Sequence, residues 1–193
     1  MRSAEHHSLP GAELLQLARR SIEHGLVHHK PLPINHDELH ATLAEPAATF
    51  TTLRIEKELR GCCGMLVAIH SLAEDVARSA FKAAFEDPRF KPVREPELEV
   101  ISVEVSVLTP LEPMTITDEL DLLDQLTPGT DGLVIHAEGR RATFLPIVWK
   151  QLPEPRAFVN ALKRKCGLAQ DYWSEHMEFQ RYQTTTYAES AQP

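Results

Sequence analysis

Leu98-Glu99-Val100-Ile101-Ser102-Val103-Glu104-Val105-Ser106-Val107-Leu108 is the stretch that decides the fold class. From Ile101 onward, branched apolar residues (Ile101, Val103, Val105, Val107) alternate with Ser102, Glu104 and Ser106. Successive strand residues point to opposite sides, so one face of this segment is buried and the other is polar. Half-buried alternation belongs to antiparallel sheet, because parallel strands are covered on both sides and read as continuous apolar runs. The spacing predicts a strand over residues 98–108, with Pro110 and Pro113 bending its exit.

Upstream, residues 48–55 are rich in Thr, Phe and Ile, and residues 59–67 follow after the charged turn 56–58. This pair predicts a hairpin. Ser71 and Glu74 have the spacing of a capping box. Leu72, Val76, Ala80, Phe81, Ala84 and Phe85 then give the buried stripe of a helix. Asp87-Pro88 ends it, since proline drives the preceding residue out of the α region. Asp87-Pro88-Arg89-Phe90 is therefore a stiff loop. Leu14, Leu17, Ala18, Ile22 and Leu26 recur at helical spacing and predict an opening helix over residues 8–26, with Pro10 in its first turn. A short helix over residues 37–43 ends at Pro46.

Downstream, residues 118–126 predict a short helix. Residues 133–137 and 140–145 pair across Glu138-Gly139 as a tight hairpin. Residues 155–166 form a helix with proline in its first turn, basic residues in its last, and Gly167 as its stop. Met177, Phe179, Arg181, Gln183 and Thr185 alternate with their neighbours, so the chain closes on a strand. No regular βαβ beat is present. The pattern is α+β, mainly antiparallel sheet flanked by helices.

The chain has 193 residues, room for one sizeable domain or two small lobes. A formal charge of -8 weighs against a dedicated nucleic-acid binder. Lys163-Arg164-Lys165 is the one basic run that such a role would need. The apolar runs are too short to cross a bilayer. Residues 1–7 lack the apolar core of a secretion signal. With three cysteines, two of them adjacent, a disulfide framework is not expected and a cytoplasmic setting is.

Leu59-Arg60-Gly61-Cys62-Cys63-Gly64 is the segment that points to chemistry. Two glycines bracket two thiols, and Arg60 stands two residues before Cys62. A nearby guanidinium favours thiolate, the form that attacks carbon. Adjacent strand residues face opposite sides, so at most one of the two cysteines is the working thiol. Arg60 and Cys62, at i and i+2, share a face of a regular strand. Cys62 is the candidate nucleophile, with backbone N–H groups freed around Gly61 and Gly64 to hold an oxyanion. The competing reading is a small buried hydrophobe. Arg89 binds an anionic substrate, or locks its loop with Asp87 above a packed Phe90. Glu104, on the polar face of the clearest strand, is a base or a solvated carboxylate. His70 and His136 are candidate bases for Cys62. The paired histidines 6/7 and 28/29 and the adjacent cysteines lack zinc-ligand spacing, so no metal is expected. No Gly-x-Gly-x-x-Gly, P-loop or Gly-x-Ser-x-Gly motif occurs, and no cofactor is expected.

The hexapeptide resembles the Leu-Arg-Gly-Cys-Ile-Gly signature of the AMMECR family, whose bacterial and archaeal members are called AmmeMemoRadiSam system protein A. The resemblance continues through Ala84-Phe85-Glu86-Asp87-Pro88-Arg89-Phe90 and Val105-Ser106-Val107-Leu108-Thr109-Pro110. It resumes at Asp131-Gly132-Leu133, Leu145-Pro146, and Lys165-Cys166-Gly167-Leu168 with Trp173. Order and spacing agree over residues 10–187, read as a single domain. Three positions depart: Cys63 replaces the signature isoleucine, Ile147 replaces a glutamine, and Cys166 replaces an alanine. The resemblance implies two unequal lobes, the larger built from both chain ends and the smaller from the middle, with the signature cysteine near a cleft. It also implies a shared pathway with a Memo-like protein and a radical SAM protein. The three-cysteine run of a radical SAM enzyme is missing here, so that chemistry belongs to a partner. The reading is an enzyme or enzyme subunit using Cys62, with Arg60, Gly61, Gly64 and Arg89 around the substrate. The alternatives are a binding or scaffold module for those partners, and a nucleic-acid-binding protein.

Overall fold

The computed structural model describes residues 11–189. In chain order its elements are α1 (Gly11–His28), α2 (Ala41–Ala44), β1 (Ala48–Ile55), β2 (Glu58–Gly64), α3 (Leu72–Phe85), β3 (Ser102–Leu108), β4 (Glu112–Met114), α4 (Glu119–Gln125), β5 (Gly132–Ala137), β6 (Arg140–Phe144), α5 (Pro155–Lys165), β7 (Glu178–Tyr182) and β8 (Thr184–Ala188). The strands form two four-stranded sheets, ordered β2-β1-β3-β8 and β4-β7-β5-β6. The chain is an α+β protein. It divides into one unit made of Met1–Leu108 with Thr185–Pro193 and another made of Thr109–Thr184.

In the first unit, β1 pairs antiparallel with both β2 and β3. Helices α1 and α3 cover the face that carries Leu53, Val103 and Val105, and these residues meet Leu14, Ala18, Ile22, Leu72, Val76 and Ala80 in one buried cluster. Ser71 caps α3 by accepting the Glu74 amide, as its spacing predicts. The buried Asp75 carboxylate registers α3 on β1: its Oδ2 accepts both the backbone N–H and the hydroxyl of Thr49, each at 2.7 Å. The loop between β1 and β2 is two residues long, and Glu56 and Lys57 both take positive φ, 49° and 72°. That geometry matches the twist of the flanking strands, as in a type I′ turn.

In the second unit, α4 and α5 pack on β5 and β7. Leu122, Leu133, Ile135, Trp149, Phe158, Val159, Leu162 and Phe179 share its buried cluster. Trp149 stacks on Phe158 at 3.8 Å and donates Nε1–H to the Asp131 carbonyl. Glu138 and Gly139, at φ 51° and 67°, close the β5–β6 hairpin. Asp118 caps α4, and Gly167, at φ 77°, follows α5.

Several boundaries differ from the sequence pattern, each for a local reason. The predicted strand over residues 98–108 begins only at Ser102, because Glu95–Glu99 is a 3-10 turn in which Val100 and Ile101 both donate to the Glu97 carbonyl. The predicted strand over residues 59–67 stops at Gly64. The predicted helix over residues 37–43 is split into a 3-10 turn and α2. The closing alternation spans two strands in different sheets, β7 and β8, and at the break Gln183 exchanges two hydrogen bonds with Thr109. Residues 8–10 of the predicted opening helix lie outside the described residues.

Gly61 marks a close approach of β2 to α3. A Cβ there would lie 2.1 Å from the Ala83 carbonyl oxygen. Gly61→Ala therefore lowers the urea unfolding midpoint by the equivalent of about 1–3 kcal/mol, the range for overpacking, and an unchanged midpoint would contradict this packing. In the opposite sense, Lys57→Gly relieves a left-handed residue and raises the midpoint, by about 1 kcal/mol on the usual scale of such strain.

Candidate functional site

The alternation of β2 separates the two adjacent thiols. Register pairs Cys63 with Thr51 and Cys62 with Thr52. Thr51 faces α3, where its hydroxyl meets Ser79 Oγ at 2.8 Å, and Cys63 packs against the helix-side core. Burial pushes the Cys63 thiol above its ordinary value, against the opposing charge of Lys82. Cys62 lies on the other face. It is half-buried, and Thr52 Oγ1 donates to its Sγ at 3.5 Å. Thr52 is paired on its other side with Glu104 of β3. Cys62, Thr52 and Glu104 thus form a row across three adjacent strands on the face opposite the helices.

β2 is an edge strand, and edge strands carry unpaired backbone groups. The outward N–H of Cys62 is taken by Asp87, whose Oδ2 accepts it at 2.9 Å. The same carboxylate holds Arg89 three ways: Oδ1 accepts the Arg89 backbone N–H at 3.1 Å and Nε at 2.9 Å, and Oδ2 accepts Nη2 at 2.7 Å. Asp87 is buried, and the paired guanidinium holds its carboxyl well below the usual carboxylate range, with the Cys62 and Arg89 amides adding to the effect. The loop lock weighed from sequence is therefore present, although the Arg89 side chain remains 55% exposed.

Arg60 does not continue the ladder. Leu53 pairs with Gly61 and Arg54 with Leu59, which leaves Arg60 as the extra residue of a β-bulge. Bulges re-aim side chains, and this guanidinium is bound by Glu97, Nε to Oε1 at 2.7 Å and Nη2 to Oε2 at 3.1 Å. Its Nη1 is buried without a hydrogen-bond partner. Arg60 holds the Glu97 carboxyl below its ordinary value. Phe90 lies under both guanidinium groups, with centroids 5.9 Å from Arg60 and 5.5 Å from Arg89. Both cations expected to charge the site are thus matched by a carboxylate.

The glycines serve the fold. The space beside Gly61 is filled by the Ala83 carbonyl, and beside Gly64 a Cβ would lie 2.2 Å from the Thr49 carbonyl oxygen. That space is occupied by backbone rather than left open for a ligand. His70 lies 3.8 Å from Glu74, and His136, on β5 of the second unit, lies 4.0 Å from Glu178. Among the described residues, no group of three or more His, Cys, Asp or Glu is placed to hold a metal ion. The basic run is divided: Arg164 and Lys165 are exposed, whereas Lys163 points inward. Lys163 is fully buried, with Nζ 3.2 Å from Glu119, donating to the Gln170 carbonyl and lying over Trp173. Lys165 donates to the Thr143 carbonyl and lies over Phe144. A sequence run of three cations looked like a patch because its helical faces were not separated. Sequence reasoning missed Thr52, Asp87 as the edge cap, and Glu97. Gly61 was the one local sign of the bulge, and Asp87 was legible as the loop lock on Arg89 but not as the cap of an edge strand.

The sign of the pH dependence follows from these shifts. A carboxyl held below its unfolded value stabilises the fold above that value, and the contribution fades as pH falls toward the lowered one. Asp87→Ala leaves the Cys62 amide unmatched and lowers stability at pH 7 by about 1–3 kcal/mol. The deficit against the parent protein, read from urea midpoints, shrinks as pH drops below the ~3.9 of a free aspartate. A deficit that grew on acidification would contradict the assignment.

The AMMECR1 family model matches residues 15–187. A protein of Thermofilum pendens is 33% identical over 196 residues, covering 93% of this chain and 90% of that one. A protein of Methanothermobacter thermautotrophicus is 33% identical, covering 93% of this chain and 94% of its own length. Among solved structures, protein PH0010 of Pyrococcus horikoshii superposes with a TM-score of 0.87 at 30% identity, covering 94% of this chain and 92% of that one. The extent of the match, the α+β fold and the Leu-Arg-Gly-Cys segment on the edge strand agree: this chain belongs to the AMMECR1 family.

Proposed function

We propose that this protein is an enzyme, or the subunit of one, that uses the Cys62 thiol as a nucleophile in acyl or group transfer. What supports the reading is the setting of one sulfur atom. Cys62 is a half-buried residue on the polar face of the sheet, with a hydroxyl 3.5 Å from its Sγ and its own amide fixed by Asp87. Fixed geometry lowers the cost of bringing sulfur to carbon. In the step itself the thiolate forms a bond to the electrophilic carbon, and the leaving group departs with the bonding pair and takes up a proton. Arg89 is the residue for an anionic substrate group. Its Nε and Nη2 are held by Asp87, while the half-exposed guanidinium keeps Nη1 for a ligand. The unpartnered Nη1 of Arg60 is a second donor.

Peptide-resolved iodoacetamide labelling of the folded protein tests this. Cys62 is expected to react at pH 6–7 faster than a free thiol of pKa ~8.5, while half-buried Cys63, packed toward α3, reacts more slowly and buried Cys166 reacts only after unfolding. A Cys62 that is unreactive when folded, or that follows the free-thiol pH curve, overturns the nucleophile reading.

A second reading is a binding module for Memo-like and radical SAM proteins in a cytoplasmic pathway. Its support is the exposed apolar stretch after β2, where Val67 is 50% and Ile69 is 64% exposed. If this is right, Val67→Asp with Ile69→Asp abolishes co-purification of a Memo-like or radical SAM protein from native lysate without changing the unfolding midpoint. Recovery of neither protein with the parent chain counts against it.

A further inference from the structure

We propose that the pocket between the end of β2 and α3 binds inorganic phosphate as hydrogenphosphate, with Arg78 and Lys82 holding its charged oxygens and Asp75 accepting the hydrogen bond of its P–OH. The pocket is about 230 Å³ and is lined by Gly64, Met65, Asp75, Arg78, Ser79 and Lys82. Sites for drug-sized ligands run to about 300–1,000 Å³, so this one suits a small ion. Its side chains come from α3, the helix that Cys63 faces, and it stands apart from the nucleophile reading of Cys62.

The first observation is charge. Arg78 and Lys82 lie at i and i+4 of α3, so they share a face, with Cβ atoms about 5–6 Å apart. Arg78 is exposed and Lys82 half-buried, and neither side chain makes a hydrogen bond or ion pair among the described residues. Arg19, Arg60 and Arg89, by contrast, are each held by a carboxylate. Glu74 lies 3.8 Å from His36 and from His70 and pairs with neither cation. Like charges at this helical spacing repel, and an anion between them reverses the sign. The fork of Arg78 takes two oxygens of that anion. A planar carboxylate is then used up, whereas a phosphate keeps a third oxygen for Lys82.

The second observation is Asp75, a carboxylate in the same pocket. It repels an anion unless the ligand brings a proton. Asp75 is buried, its Oδ2 accepts the amide and hydroxyl of Thr49, and its Oδ1 accepts nothing among the described residues. An ionised carboxylate can only accept. Hydrogenphosphate supplies both halves of the match, charged oxygens for the cations and one hydroxyl for Asp75. Sulfate has the same shape and charge without the hydroxyl. Burial pushes the Asp75 carboxyl above its ordinary range, and a donor at Oδ1 offsets part of that lost hydration. The Ser79 hydroxyl is already engaged: it meets Thr51 Oγ1 at 2.8 Å and Thr49 Oγ1 at 3.1 Å and donates to the Val76 carbonyl, so it shapes the wall.

The experiment is calorimetric titration of the full chain with sodium phosphate at about pH 7.5, at constant ionic strength, with sodium sulfate and methyl phosphate as comparisons. A phosphate monoester is a dianion without P–OH at this pH, since its second pKa is about 6. Phosphate is expected to saturate one site, and both comparison anions to bind about 10-fold more weakly, the factor for one unmade hydrogen bond to a buried acceptor. Arg78→Gln and Lys82→Gln each weaken phosphate by about 10-fold or more, the loss of a hydrogen bond to a charged group. Arg89→Gln leaves phosphate binding unchanged, which separates this pocket from the guanidinium near Cys62. In Asp75→Asn the amide oxygen stays on Thr49 and the NH₂ turns to the pocket, so sulfate binds as tightly as phosphate. A urea midpoint shows whether that variant is folded; if it is not, the anion comparison in the parent and the two cation variants decide. A parent chain that does not bind phosphate, sulfate or methyl phosphate binding as tightly as phosphate, or phosphate binding that survives loss of both Arg78 and Lys82, overturns the proposal.

Discussion

One buried carboxylate organises this side of the first sheet. Asp87 accepts the outward amide of Cys62, the amide of Arg89 and two guanidinium protons of Arg89. An edge strand without such a cap presents free N–H groups to any passing strand. Here the cap comes from the loop that ends α3, so the helix, the loop and the edge are fixed relative to each other. The ring of Phe90, three residues after Asp87, completes the arrangement by seating both arginines. Position 62 is therefore held from the backbone outward, in a half-buried residue.

The same arrangement sets the chemistry of the two cysteines. They are neighbours in sequence, yet the period of a strand sends them to different environments. Cys63 faces α3 and is made harder to ionise by burial. Cys62 faces a polar surface with a hydroxyl and a carboxylate in line across the sheet. From the residue list alone, Arg60 and Arg89 read as a positive environment. The structure places a carboxylate on each, so neither stands as an unmatched charge beside the thiol.

Much of the fold was legible because it rests on local rules. The Ile101–Val107 alternation, the Ser71 cap and the two short hairpin turns each follow from a few adjacent residues. What was not legible depends on partners distant in sequence. The bulge at Arg60 is marked only by the adjacent Gly61, and its guanidinium is bound by a carboxylate thirty-seven residues away. The Glu95–Glu99 turn replaced the start of a strand because Glu97 is used twice, by its side chain on Arg60 and by its carbonyl on Val100 and Ile101. The switch of sheets at Gln183 is invisible to an alternation that runs on unbroken through it. Lys163 is buried because its partners, Glu119 and Gln170, lie on other segments. For the site, Cys62, Arg89 and the Asp87–Arg89 lock could be singled out from the sequence, whereas the Arg60–Glu97 pair and the Asp87 cap on the Cys62 amide could not.

The most direct test of this account is amide hydrogen exchange at Cys62, measured by NMR in the folded protein. The Cys62 N–H points away from β1, so a side chain alone protects it. The account predicts slow exchange, comparable to the inward-paired amides of Gly61 and Cys63, and selective loss of that protection when Asp87 is replaced by alanine. Exchange at the rate of an unstructured peptide in the parent protein would contradict it, because the edge would then be open and the thiol unpositioned.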